Sequence, residues 1–101
     1  MSFYFKNNFE RSFGTWPLKG HVLEQSMLDA LKVGYKSFDT AQMYGNEEDI
    51  GEIFNKHNIN RKQLCITTKV TEKNFSSRLF IQSVEKSLKD LKTDYVDVLL
   101  V

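Results

Sequence analysis

Residues 38–47 read Phe-Asp-Thr-Ala-Gln-Met-Tyr-Gly-Asn-Glu and join an apolar strand to a helix through a short loop. Asp39 ends the predicted strand, Tyr44 lies in the loop, and Asn46 is a favourable residue to begin the helix. Acidic side chains suit the positive first turn of a helix, and three follow at once, namely Glu47, Glu48 and Asp49. The stretch therefore predicts a strand–loop–helix unit with polar groups at the carboxyl end of the strand.

The rest of the chain repeats this alternation. Helices with an apolar stripe are predicted over residues 23–31, 46–57 and 80–91, and strands over 36–40, 64–70 and 95–101, the last of a buried type. A minimal first strand precedes Gly14, and the weak alternation of residues 3–13 around two asparagines predicts an N-terminal β-hairpin. Regular alternation of strands and helices indicates right-handed βαβ units and a parallel sheet.

Two parallel architectures fit this order. An open doubly wound sheet needs a glycine-rich turn after its first strand, and no GxGxxG occurs in the chain. A barrel carries its chemistry at the carboxyl ends of several strands, where Asp39 and Lys69 fall. A whole barrel needs about 250 residues. The predicted fold is α/β, the N-terminal half of a (β/α)8 TIM barrel after an N-terminal β-hairpin, with residues 1–101 as one partial domain.

Composition excludes several function classes. The 101 residues are 41 % apolar and 27 % charged, with a net charge of +1. The chain has no block of basic residues of the kind that binds nucleic acid or an acidic membrane. No signal peptide, membrane span or metal-ligand spacing is apparent. The single Cys65 suits a reducing compartment, so we expect a cytoplasmic protein.

Asp39 and Lys69 end neighbouring predicted strands, which lie about 4.8 Å apart in a sheet. One interpretation is a salt bridge at the rim of the barrel. The other includes Tyr44, because a phenol is a weak acid near pH 10 in water and a lysine cation favours its phenolate. In that interpretation Asp39 orients Lys69, and the three residues form a general-acid relay for carbonyl reduction. Spacing alone leaves both interpretations open.

Four segments, residues 14–16, 34–51, 67–69 and 94–101, together resemble the aldo-keto reductases, which are NAD(P)H-dependent carbonyl reductases on a (β/α)8 barrel. The resemblance implies that Tyr44 is the general acid, that Lys69 supports its acidity, and that Asp39 is the partner of Lys69. It also implies a small-molecule carbonyl substrate and NADPH, or NADH, as cofactor. The implied cofactor residues are Gly14, Thr15, Trp16 and Asp39, and the implied substrate residues are Trp16 and Tyr44.

The chain departs from the family pattern at the first strand, where residues 11–13 replace an apolar, glycine-containing run. The family's fourth catalytic residue, a histidine, would follow Val101. We therefore expect the 101-residue chain to be inactive by itself. The alternatives to an enzyme are a non-catalytic remnant or a scaffold relative of the family, and an open half-barrel is expected to self-associate.

Overall fold

A computed structural model describes residues 11–101. The strands β1 (Ser12–Gly14), β2 (Ser37–Asp39), β3 (Cys65–Lys69) and β4 (Val98–Leu100) form one parallel sheet in the order β1-β2-β3-β4. The helices α1 (Gly20–Lys32), α2 (Glu47–Lys56) and α3 (Ser77–Leu91) connect successive strands. Each strand thus pairs with the next one in the chain, as in a barrel, whereas a doubly wound sheet reverses its strand order.

The predicted N-terminal hairpin lies mostly outside the described residues. Its final part, Ser12–Gly14, belongs to β1, which pairs in parallel with β2. Three short 3-10 turns, Gln42–Tyr44, Arg61–Gln63 and Glu72–Asn74, complete the described secondary structure. Two of them follow the carboxyl ends of β2 and β3, so both loops at that edge of the sheet begin with a short helical turn.

The core lies between the sheet and the helices. The apolar stripes predicted for α1 and α2 are confirmed, because their central residues are buried, namely Leu23, Met27, Ala30, Ile50, Ile53 and Phe54. Phe38 of β2 packs edge-on against Phe54, with ring centroids 5.4 Å apart. A Cβ at Gly51 would overlap the carbonyl oxygen of Asp90 and lie 2.7 Å from the Leu91 carbonyl carbon. Glycine at this position therefore allows α2 and α3 to approach closely.

The last strand, predicted to be of a buried type, is partly exposed within residues 11–101. Leu99 and Leu100 are 37 % and 44 % exposed. The reason lies in the sheet, since within residues 11–101 β4 pairs only with β3 and its other edge has no strand beside it. Apolar sequence predicts burial only where a neighbouring element covers the strand.

Candidate active site

The carboxyl ends of β2 and β3 bring Tyr44 and Lys69 together. Tyr44 ends the 3-10 turn Gln42–Tyr44, which follows β2, and Gly45 closes the turn with a φ of +67°. The Nζ of Lys69, the last residue of β3, donates a hydrogen bond to Oη of Tyr44 over 2.9 Å. The same Nζ lies 5.2 Å from the centroid of the Tyr44 ring. A half-buried phenol is thus in direct contact with an ammonium group.

Trp16 also packs near Tyr44. Its ring centroid lies 6.0 Å from that of Tyr44 at an interplanar angle of 37°, and the residue is 63 % exposed. A cleft of about 380 Å³ opens beside Tyr44 and Lys69, with apolar walls that include Phe75 and Leu100. Such a size, with apolar walls and few polar groups, suits a small organic molecule.

Asp39 lies at the same edge, but the expected ion pair with Lys69 is absent from the described residues. The strand register is the reason, because Asp39 pairs with Thr67, and Lys69 lies two residues further along β3. Two residues correspond to about 7 Å along a strand. The Oδ1 of Asp39 instead accepts a hydrogen bond from Oγ of Ser12 over 2.8 Å. The interpretation of Asp39 and Lys69 as a rim salt bridge is therefore wrong.

The residues predicted to contact a cofactor lie at the ends of β1 and β2 and in the loop that follows β1. Gly14 pairs with Asp39, and a Cβ at Gly14 would meet no described atom within 4 Å, so the space above it is open. Thr15 is buried, and its N–H and Oγ1 both donate to the main-chain oxygen of Asp39, over 3.1 and 2.8 Å. Thr15 thus joins the two loops, while Trp16 and the half-buried Asp39 carboxylate remain accessible. An aromatic face and a carboxylate acceptor fit a nicotinamide ring and its ribose hydroxyls.

Asn46 occupies the N-cap position of α2, as predicted, but its side chain does not cap the helix. The residue is fully buried, and its Oδ1 accepts a hydrogen bond from Oγ1 of Thr40 over 2.5 Å. Its Nδ2 donates to Oγ1 of Thr15 and to the main-chain oxygen of Leu18, both over 3.1 Å. Asn46 therefore holds the Trp16 loop against the Tyr44 loop, a role that the helix-start pattern did not predict.

Glu47 is a second buried group beside the site. Its carboxylate accepts hydrogen bonds from Oγ1 of Thr68 over 2.7 Å and from Oγ of Ser87 over 3.0 Å. Burial raises the pKa of Glu47, and the two hydroxyl donors oppose that rise. The sequence placed Glu47 in the first turn of the helix, as the structure does, and the structure shows in addition that its carboxylate joins α2, β3 and α3.

Sequence comparison with known proteins identifies the family of the chain. A sequence model of the Aldo/keto reductase family matches residues 12–101. The chain belongs to this family. The methylglyoxal reductase DkgB of Yersinia pestis is 42 % identical over 88 residues, which are 87 % of this chain and 33 % of that protein. An aldo/keto reductase of Synechocystis is 36 % identical over 92 residues, which are 87 % of this chain and 28 % of that protein.

Solved structures agree with this assignment. The aldo/keto reductase from Brucella melitensis is 36 % identical, with a TM-score of 0.82 over 89 % of this chain and 34 % of that one. The aldose reductase from Giardia lamblia is 34 % identical, with a TM-score of 0.82 over 89 % of this chain and 31 % of that one. The chain thus spans about a third of the length of these relatives, and the predicted half-barrel α/β fold is confirmed for the described residues.

None of the helices described within residues 11–101 is both long enough and apolar enough to cross a membrane.

Proposed function

We propose that this aldo/keto reductase chain forms the proton-donating side of an NAD(P)H-dependent oxidoreductase that reduces small aldehydes and ketones. The observation that carries the proposal is the hydrogen bond from Lys69 to Tyr44 beside the exposed ring of Trp16. The proposal includes NADPH as the preferred cofactor, a cytoplasmic location, and residues 1–101 as one partial barrel domain.

The direction of the hydrogen bond supports Tyr44 as the acid. Lys69 donates, so the oxygen of Tyr44 accepts and the phenolic proton remains available to a carbonyl oxygen in the cleft. Once that proton has been transferred, the ammonium group of Lys69 faces a phenolate and stabilises it. Proton donation by a positioned side chain typically accelerates a reaction about 100-fold to 10,000-fold.

The cofactor would supply the hydride. Trp16 would provide an aromatic wall beside the nicotinamide ring, and the open space above Gly14 would leave room for it. The carboxylate of Asp39 would accept hydrogen bonds from ribose hydroxyls. The hydrogen bond from Ser12 to its Oδ1 would hold the carboxylate in a fixed orientation. Asp39 in this proposal holds the cofactor rather than the lysine, in keeping with the absence of a direct contact between Asp39 and Lys69 among the described residues.

Methylglyoxal represents the proposed substrate class. Relatives of the chain are named methylglyoxal reductases, and a cleft of about 380 Å³ with few polar groups would hold a small carbonyl compound. Four parallel strands are described here, whereas a complete barrel has eight. We therefore expect turnover only when the remaining barrel is present.

The test joins residues 1–101 to the remaining two thirds of the Yersinia pestis relative and measures the loss of NADPH absorbance with methylglyoxal. We expect turnover in this fusion, a loss of at least about 100-fold in the Tyr44→Phe variant, and none in the 101-residue chain alone. Tyr95→Phe is the matched control, because the Tyr95 ring lies 4.0 Å beneath the Arg61 guanidinium, away from the cleft. A folded fusion without turnover would instead support the non-catalytic alternative.

The proposal also includes association between two copies of the chain. Within residues 11–101 the second edge of β4 has no strand beside it, and its residues Leu99 and Leu100 are exposed; unpaired strand edges are sites for pairing with another chain. Sedimentation of the 101-residue chain at micromolar concentration should reveal species larger than a monomer. A monomer with a cooperative thermal transition would contradict this part of the proposal.

A further inference from the structure

Gln42 begins the 3-10 turn that carries Tyr44, and its side chain is bound at every polar atom. Its Oε1 accepts hydrogen bonds from the N–H of Thr71 and from Nδ2 of Asn74, both over 3.0 Å. Its Nε2 donates to Oγ of Ser87 over 3.3 Å. Each partner belongs to a different part of the chain from Gln42, at sequence separations of 29, 32 and 45 residues.

Two of these partners lie in the loop that follows Lys69, and the third lies in α3. Thr71 follows the end of β3 by two residues, and Asn74 ends the turn Glu72–Asn74. Ser87 is buried in α3, and its hydroxyl donates a hydrogen bond to Glu47. One side chain from the Tyr44 turn therefore holds the loop that leads away from Lys69 and, through Ser87, the third helix.

We propose that Gln42 is a positioning residue that keeps Tyr44 at hydrogen-bond distance from Lys69. The meaning of that pair for catalysis rests on the proposed function, whereas the positioning itself rests on the three hydrogen bonds. Loops are the more mobile parts of a fold, and a displacement of about 1 Å in a reacting group can cost on the order of 100-fold in rate. A direct link between the two loops removes that freedom.

Only a primary amide matches all three partners. Its oxygen accepts from two donors, and its NH₂ group donates to Oγ of Ser87, whose hydroxyl already donates a hydrogen bond to Glu47. A carboxylate at position 42 would keep both acceptor contacts but could not donate, and it would bring a second negative charge near Glu47. Alanine removes all three contacts. Gln42→Glu and Gln42→Ala therefore separate the link to the Lys69 loop from the link to α3.

The first measurement is hydrogen exchange at the Thr71 amide in the 101-residue chain. We expect about tenfold faster exchange in Gln42→Ala than in the parent, and near-parental exchange in Gln42→Glu. Gln63→Ala is the matched control, because Gln63 is an exposed glutamine before the opposite end of β3. Equal exchange of Thr71 in the parent and in Gln42→Ala would overturn the proposal.

The second measurement uses Trp16, the only tryptophan of the chain, whose ring lies 6.0 Å from that of Tyr44. If Gln42 positions Tyr44, Gln42→Ala should change the emission of Trp16 and its quenching by acrylamide, and Gln63→Ala should not. Faster Thr71 exchange with unchanged Trp16 emission would show that Gln42 orders only its own contacts, and would overturn the proposal.

In the active fusion, Gln42→Ala should lower kcat with little change in KM. The hydrogen-exchange and fluorescence measurements test the positioning of Tyr44 even if the fusion shows no turnover.

Discussion

Lys69 donates a hydrogen bond to the Tyr44 hydroxyl oxygen over 2.9 Å across a sequence separation of 25 residues. The contact exists because parallel neighbours end at the same edge of a sheet, so β3 delivers Lys69 to the turn that follows β2. Asp39 is at the same edge but is bound to Ser12. The lysine and the carboxylate are therefore separate parts of the site, and their substitutions should have different effects.

Lys69→Met should lower kcat/KM of the active fusion roughly 100-fold or more, because the phenolate left by proton transfer loses its neighbouring cation. Lys62→Met, at an exposed lysine before β3, is the control and should be near the parental value. Asp39→Asn should act mainly through KM for the cofactor. Equal kcat/KM in Lys69→Met and the parent would exclude the proposed relay.

Asn46→Asp should lower the free energy of unfolding by about 3 kcal/mol, since a buried carboxylate cannot donate to Thr15 and Leu18 and would face their oxygens. The positive end of α2 would recover at most about 1 kcal/mol of this loss. Urea denaturation measures the difference, with Asn55→Asp at an exposed position of the same helix as control. Similar losses in both variants would mean that the buried network of Asn46 contributes little.

Gly51→Ala should lower the free energy of unfolding by about 2 kcal/mol, because the added Cβ would meet the backbone of α3 at Asp90 and Leu91. This cost exceeds the gain of about 1 kcal/mol expected for alanine over glycine within a helix. Gly14→Ala is the control for stability, since its Cβ would meet no described atom within 4 Å. A more stable Gly51→Ala variant would show that α2 and α3 can separate at little cost.

The pH dependence of stability should report on Glu24 of α1. Its Oε2 lies 2.8 Å from Nε2 of His57 and 2.9 Å from Nζ of Lys56, and these partners lower the pKa of Glu24 from 4.5 to about 2. Because the folded-state pKa lies below the unfolded one, the stabilisation is present above about pH 4.5 and is lost as the pH falls towards 2.

Thermal unfolding midpoints measured between pH 2 and 7 test this, with roughly half-unit steps across the window between the two pKa values. The parent should lose more stability across that window than Glu24→Gln does. Glu52→Gln, an exposed glutamate of α2, should behave as the parent. Identical profiles for the parent and Glu24→Gln would contradict the assignment.

Much of the fold was predictable because its signals are local. The buried stripes of α1 and α2 follow from helical spacing, and the strand ends at Asp39 and Lys69 follow from apolar runs that stop at a charge. Tyr44 and Lys69 could be placed at one edge because parallel strands share it. The exposure of β4 within residues 11–101 could not be read from its apolar residues, since burial depends on the neighbouring elements and not on the strand's own residues.

By itself, the sequence determined the order of the elements, the apolar faces of the helices and the polar residues at the strand ends, because each depends on spacing within a few residues. Only the tertiary structure decided which polar groups pair. The strand register pairs Asp39 with Thr67, and Lys69 forms a hydrogen bond with Tyr44 instead of an ion pair with Asp39. The side-chain partners of Gln42 and Asn46 are all distant in sequence except Thr40. A hydrogen bond depends on positions within a few tenths of an ångström, and only the packed sheet and helices define positions so closely.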